Sequence, residues 1–482
     1  MLTLKRLGFF ADKIARTPDF VQAAAGGYAA GACTREVSRF KISDYVAFQD
    51  SRTMRVFMLG WEFPPFISGG LGTACYGLTR AMDQLGIKVT FVLPRMVENI
   101  QNTHVRLLSP EHYKGTTRFK FENLNNVQFC AVDSSLSPYE SADVYRRRIE
   151  QTLRLKQGAL VKASFEPISN GGHYSGDMYT EVHRYAAIAA ELAADEDFDV
   201  IHAHDWMTYP AGIAVAALKN RPLVVHIHST EFDRSGEHVN QMIYDIERHG
   251  FHAADKIIAV SHYTKNILIS RYGVSGDKIE VVHNGVEKNN GNGASLREAG
   301  IETDEKIVLF LGRITMQKGP EYFLQAAKRV LEVMKNVKFV MAGTGDMMHR
   351  SIELAAHLGI GSKVLFTGFL QGEQVQKIYR MADLYVMPSV SEPFGIAPLE
   401  ALNHDVPVII SKQSGVSEVL THALKVDFWD IDEMANKIVA VLRHPPLSAT
   451  LRDYGNYEVR KLRWIDSAAK CAKVYREMLV CA

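Results

Sequence analysis

Two doubly wound α/β domains facing each other are expected for this chain. Short apolar runs alternate with helical stretches, the alternation breaks once, and glycines gather where the runs end. The first series of runs is Val56–Leu59, Val89–Leu93, Val200–Ala203, Leu223–Ile227, Ile257–Val260 and Val281–Val282. The second is Ile307–Leu311, Phe339–Met341, Val364–Phe366, Leu384–Met387 and Val406–Ile410. Near-continuous Val/Ile/Leu runs fit strands covered on both faces, as in parallel sheets. The segments between them have helical period. In Glu321–Asn336, Phe323, Ala326, Ala327, Val330, Leu331 and Met334 share one face, and Pro320 precedes them at a favourable first helical position.

The break falls at Asn284–Ala294, which is polar, glycine-rich and without period, and reads as a linker with a hinge near residue 290. The expected domains are therefore 54–288 and 289–455, with a helix in 456–482 free to pack back on the first domain. Residues 1–53 read as a poorly ordered extension before Met54. Their apolar patch Leu7–Ala11 is too short for a signal peptide core, and Asp12, Asp19 and Glu36 weaken a mitochondrial leader. Residues 96–185 gain no clear assignment; their cations Arg146, Arg147, Arg148, Arg154, Lys156 and Lys162 read as a solvated helix face.

Composition narrows the function. Of 482 residues, 55 are Lys or Arg and 54 Asp or Glu, a net charge of +1 that argues against nucleic acid as the main partner. The five cysteines (Cys33, Cys75, Cys130, Cys471, Cys481) are scattered with no CxxC spacing, as expected for reduced thiols in a cytoplasm. No run of eighteen apolar residues occurs, so no stable membrane insertion is expected. Oligomeric state leaves no signature.

In open parallel sheets ligands bind beyond the carboxyl ends of strands. Four successive ends in the second series carry Gly312-Arg313 with Lys318-Gly319, Ala342-Gly343-Thr-Gly-Asp346, Thr367-Gly-Phe369, and Pro388-Ser-Val-Ser-Glu392-Pro-Phe394-Gly395. Four such ends together describe a nucleotide site. Arg313 and Lys318 would clamp a diphosphate. Glu392, in a loop, and Glu400, about two turns into the next helix, would face one cleft and accept from sugar hydroxyls. The amides of Phe394, Gly395 and Ile396 lie at that helix start, where free N–H groups favour oxygen-rich ligands. In the first domain Gly69, Gly70 and Gly72 follow the first strand and would let amides approach phosphate oxygens.

His202-Ala-His204-Asp205 and His226-Ile-His228 end two strands, but with no third ligand evident, no metal is expected. Asp197-Phe-Asp199 precedes its strand, at the wrong end of the sheet for a metal site, and reads as a solvated turn.

These residues resemble the retaining GT-B glycosyltransferases that include glycogen and starch synthases and the large family-four group. The likeness runs from Met54 to Val480. Its most specific pieces are Glu392-Pro-Phe-Gly-Ile-Ala-Pro-Leu-Glu400, Gly312-Arg313 with Lys318-Gly319, and Ser68-Gly-Gly-Leu-Gly72. The resemblance implies that Arg313 and Lys318 hold the donor diphosphate, Glu400 the ribose, and that Glu392 faces the transferred sugar. It places His228 near the anomeric carbon, and Asp205 and Asn284 among polar residues of the acceptor or donor side. It implies transfer of a hexose with retained configuration from UDP- or ADP-glucose to a glycan acceptor, with no cofactor or metal beyond the nucleotide sugar.

Bacterial glycogen synthases that use ADP-glucose carry a lysine just before the double glycine, where this chain has Ile67-Ser68. Trp61-Glu-Phe-Pro-Pro65, Tyr174-Ser-Gly-Asp177 and Glu181-Val-His-Arg-Tyr185 look more like the glycogen-synthase branch than a lipid mannosyltransferase. The alternative is a family-four enzyme acting on a lipid-linked or surface-polysaccharide acceptor. An NAD-dependent oxidoreductase is disfavoured because Gly343-Thr-Gly345 lacks the third glycine of its fingerprint. A non-enzymatic binding module would not need every donor-side group.

Overall fold

A computed structural model describes residues 53–63, 69–93, 105–113, 116–121, 126–131, 178–287 and 305–481. The extension before residue 53, the linker 288–304, Ile67-Ser68, Tyr174–Asp177 and the cations of 146–162 lie outside the described residues.

The first sheet holds β1 (Arg55–Leu59), β2 (Lys88–Leu93), β3 (Val105–Tyr113), β4 (Thr116–Phe121), β5 (Val127–Ala131), β6 (Val200–His204), β7 (Leu223–Ile227), β8 (Lys256–Ala259) and β9 (Ile279–Val281). Their order is β3-β4-β5-β2-β1-β6-β7-β8-β9. Pairing is parallel except at β3/β4 and β4/β5. The second sheet is wholly parallel: β10 (Lys306–Leu311), β11 (Val337–Ala342), β12 (Val364–Gly368), β13 (Leu384–Met387), β14 (Val408–Ser411) and β15 (Leu424–Val426), in the order β12-β11-β10-β13-β14-β15. Each apolar run of the sequence coincides with a strand within a residue or two. The segment 105–131, left unassigned above, supplies three strands that lack the continuous apolar run of a doubly covered strand. The edge strand β15 is too short to signal itself.

The order of the parallel strands switches direction between β1 and β6 in the first sheet and between β10 and β13 in the second. Such switch points open a crevice at the carboxyl ends of the flanking strands. The crevices receive Glu62 and Asp205 in one domain and Arg313 and Glu392 in the other. Helix Pro320–Val333 shows how local sequence serves this plan. Phe323, Ala326, Ala327, Val330 and Leu331 are buried against the second sheet, and Glu321 sits in the first turn where the helix dipole favours it.

The chain crosses between domains twice, and the two passages pack together. Val286 N donates to Leu462 O (2.9 Å), and Ser467 Oγ donates to His283 O (2.7 Å). Gly285 is needed because a Cβ there would lie 2.3 Å from Trp464 N. The helix Trp464–Cys481 then buries Ala468, Cys471, Ala472 and Tyr475 in the core of the first domain.

Asp199 is no solvated turn residue. It is buried and accepts from Arg55 N (2.8 Å) and from the Arg55 guanidinium (3.2 Å), tying β6 to the start of β1.

Candidate active site

In the second domain, β10 ends at Gly312 and Arg313 and leads to the short turn Met316–Lys318. Gly319 then takes φ +68°, and a Cβ there would stand 2.1 Å from Pro388 O, so the turn lies hard against the loop after β13. That contact places Lys318 Nζ 2.5 Å from Glu392 Oε2. Ser389 Oγ donates to the same oxygen (3.2 Å). Glu392 is buried, and its backbone is pinned to the loop after β14: its N–H donates to Gln413 O and its carbonyl accepts from Gly415 N, both at 2.9 Å. Arg313 Nη2 donates to Gln317 Oε1 (3.2 Å).

Gly343, at a strand end of the expected nucleotide site, has its N–H engaged by Gly368 O (2.9 Å). The residue is glycine because a Cβ would overlap Gly312 O at 1.9 Å. Glu400 lies in the first turn of the seven-residue helix Ala397–Asn403, not two turns in, because Pro393 to Ile396 is not yet helical. Tyr379 OH donates to Glu400 Oε2 (3.0 Å), and burial raises the Glu400 carboxyl above its usual range. Phe394 is buried with its carbonyl accepting from Val416 N (2.6 Å), Gly395 takes φ +102°, and Ile396 caps the helix.

In the first domain, Glu62 follows β1 and is buried beneath Gly69–Gly72. Its Oε2 accepts from Gly72 N (3.1 Å), and a Cβ on Gly69 would meet that oxygen at 2.7 Å. The Gly72 amide, expected to face phosphate, is therefore engaged by a carboxylate of the same chain. Burial pushes Glu62 up to about 7, while the positive charge of Arg313, arriving from the opposite domain, pulls it down. Gly70 opens the helix Gly70–Gln84.

Asp205 ends β6 at φ 58° and ψ 169°, a conformation that is nearly glycine-only and costs about 1–3 kcal/mol. Its Oδ1 accepts from His228 N (2.7 Å), so the carboxylate holds the loop after β7. Burial raises this carboxyl to about 7. Asn284 is buried at the first domain crossing.

The histidines form a stack on one face of β6 and β7. His204 Nδ1 and His228 Nε2 share a hydrogen bond (2.9 Å), as do His202 Nε2 and His226 Nδ1 (3.2 Å), and Tyr475 OH meets His202 Nδ1 (2.5 Å). The sequence reading found no third ligand; folding brings one, since nitrogens of His202, His204 and His226 lie within 4.8 Å of one another. The rings of His202 and His204 are stacked at 4.4 Å with 14° between planes, so their in-plane lone pairs lie in nearly parallel planes that do not meet at a common point between them. The observed arrangement is a hydrogen-bonded stack.

Burial lowers His202 and His228 to about 3, so both are neutral. A base with a depressed folded pKa adds stability that is present above its unfolded value near 6.5 and is lost as pH falls toward about 3. Wild type should accordingly lose more melting temperature between pH 6.5 and 4 than a His202→Gln variant. Equal slopes for the two proteins would contradict the assignment.

The two halves of the site meet. Asp233, five residues beyond His228, accepts through Oδ1 from Ser391 Oγ, one residue before Glu392. Ser261 Oγ donates to Pro393 O (2.6 Å). The loop bearing Glu392, against which Lys318 is held, thus meets the segment that follows His228 at the crevice between the sheets. Sequence reasoning passed over Asp233, whose only local signal was the capping pattern Thr230-Glu-Phe-Asp233.

Two Rossmann-like domains facing across a crevice, with cations and glutamates at the switch point of the second, define a GT-B glycosyltransferase. Residues 167–290 match Glycosyltransferase Family 4 and residues 294–457 match Glycosyl transferases group 1. An uncharacterized glycosyltransferase of Methanocaldococcus jannaschii is 32% identical over 386 residues, covering 77% of this chain and 83% of that protein. A glycogen synthase of Mycobacterium tuberculosis is 25% identical over 380 residues, covering 76% and 80%. Sucrose-phosphate synthase from Thermosynechococcus elongatus shares the fold with a TM-score of 0.67 at 18% identity, over 89% of this chain and 100% of that one. The chain belongs to the group 1 glycosyltransferases of the family-four type and is an enzyme of that class.

Proposed function

We propose that this enzyme moves glucose, with retention of anomeric configuration, from UDP- or ADP-glucose to a glycan acceptor. The observation that carries the reading is the meeting, at facing switch points, of the Glu392 loop, against which Lys318 is held, with the segment that follows His228. In this reading Arg313 and Lys318 take the diphosphate and offset the negative charge that grows on it as the sugar bond breaks. Lys318 then leaves Glu392, whose carboxylate is freed for the sugar and its developing positive charge. Glu400 binds the ribose, helped by Tyr379, and Asn284 lies on the polar side of the site. Phe394, Gly395 and Ile396 bring backbone close to the donor, and Gly69 and Gly70 shape the opposite wall. His228 sits over the anomeric centre, oriented by Asp205 through its backbone and by His204 through its ring. Metal takes no part.

Likeness to a glycogen synthase along three quarters of the chain supports a glucan acceptor. Among the described residues no helix is long and apolar enough to cross a membrane. Cys75 and Cys471 are free and buried, in keeping with a cytoplasmic enzyme.

A thermal-shift panel of nucleotide sugars, followed by NMR of the product anomer, tests the reading. UDP- or ADP-glucose should raise the melting temperature by mass action, and an α-linked product should form on a glucan primer. Stabilisation by GDP-mannose alone, or transfer only to a lipid-linked acceptor, would overturn the glucan assignment.

A further inference from the structure

We infer that Asp233, Ser391 and Tyr263 are positioning residues that register the His228 loop of one domain against Glu392 of the other when the cleft is closed. The inference rests on the transferase reading above and adds a coupling element to it. The two oxygens of Asp233 have divided tasks. Oδ2 is spent locally, accepting from Thr230 N and Thr230 Oγ1 (both 2.7 Å) to close the capping box of the helix Glu231–Ser235. That leaves Oδ1 rigidly aimed across the cleft, where it accepts from Ser391 Oγ. The Ser391 hydroxyl is shared with Tyr263 OH (3.0 Å), which comes from the start of the helix His262–Tyr272.

Several other contacts between the domains run to backbone groups. Ser261 Oγ reaches the Pro393 carbonyl, and the Glu418 carboxylate accepts from His262 N (2.9 Å) and Tyr263 N (2.6 Å). These contacts all involve backbone groups, and they fix where the second domain rests on the first. Gly415 leaves no slack there, since a Cβ would lie 2.5 Å from Ser261 Cβ. The Asp233–Ser391–Tyr263 set is instead made of side chains alone. It sits five residues from His228 and one from Glu392, so it transmits the position of one reacting loop to the other. Asp233 is 1% exposed, so its Oδ1 has little access to water as an alternative partner when the cleft is closed.

Ser391→Ala is the main test, because it leaves the Asp233 capping box intact. With the wild-type donor, kcat should fall about tenfold or more while the donor KM stays within about threefold, as expected for misplaced rather than missing groups. Ser391→Thr, which keeps the hydroxyl, should recover most of the loss, and Tyr263→Phe should lie between. Small-angle scattering with donor added should show wild type contracting and Ser391→Ala remaining more open. Unchanged kcat and unchanged scattering in Ser391→Ala would overturn the inference. If wild type turns over no nucleotide sugar, the transferase reading fails instead, and scattering alone then decides the latch: identical profiles for the two proteins reject it.

Discussion

Replacing Lys318 by alanine should lower kcat by about 100- to 1,000-fold and leave the fold in place. The size follows from what the ammonium faces. A nucleotide diphosphate gains negative charge as it departs, and a cation already fixed beside it offsets that charge without waiting for solvent to reorganise. Lys318 is held for this by the left-handed Gly319 behind it and by the Glu392 carboxylate in front. Removing it leaves the buried Glu392 carboxylate with Ser389 Oγ as a remaining donor, so a loss of about 1–3 kcal/mol of stability accompanies the loss of rate. Arg313→Ala should fall in the same range, and Lys318→Arg should not rescue, because a planar fork does not fit a site shaped for a compact ammonium. Steady-state kinetics with melting curves on each variant check this. A Lys318→Ala enzyme that melts normally and transfers at the wild-type rate would remove the clamp from the mechanism.

The largest stability effect is expected at Arg234, which contacts no reacting group. Its guanidinium donates to Glu247 Oε1 (2.6 Å), to Glu231 Oε2 (3.0 Å) and to the Ser229 carbonyl (2.7 Å), the residue after His228. Both glutamates are buried. Arg234→Ala leaves two carboxylates without their cation, and breaking a buried pair in this way costs about 3–5 kcal/mol. Burial already holds Glu247 up at about 7, with Arg234 opposing that rise. A carboxyl whose folded pKa is raised contributes stability that is fully present at low pH and is lost as pH climbs through the folded value. Without Arg234 the Glu247 value rises further, so the gap between variant and wild type should narrow from pH 7 to pH 5. Denaturant titrations at the two pH values measure it; a gap that widens toward pH 5 would contradict the network. Arg234→Lys should be intermediate, keeping the charge but losing the fork that spans three acceptors.

Much of the fold was legible because a strand covered on both faces must be apolar throughout. Every such run in the two series became a strand, and the glycines that follow them mark loops where backbones nearly touch. What escaped was either weakly patterned or long-range. The strands β3 to β5 lack continuous apolar runs, and β15 is only three residues long. In the site, the spacing of Glu392 and Glu400 and the pairing of Arg313 with Lys318 were visible because each pair sits on a single loop or loop-to-helix segment. Glu62, Asp233 and Tyr263 were not, since their roles depend on partners 10 to 158 residues away that only folding supplies. Glycines at strand ends also carry contacts invisible in the sequence: the Gly72 amide, expected to face phosphate, is engaged by Glu62, and the Gly343 amide by Gly368.

The position of the donor diphosphate in a complex with UDP- or ADP-glucose is the most direct measurement of the whole proposal. It should lie against Arg313 and Lys318, with the ribose on Glu400 and the hexose between Glu392 and His228. A nucleotide bound at the Gly69–Gly72 loop with Lys318 still paired to Glu392 would contradict it.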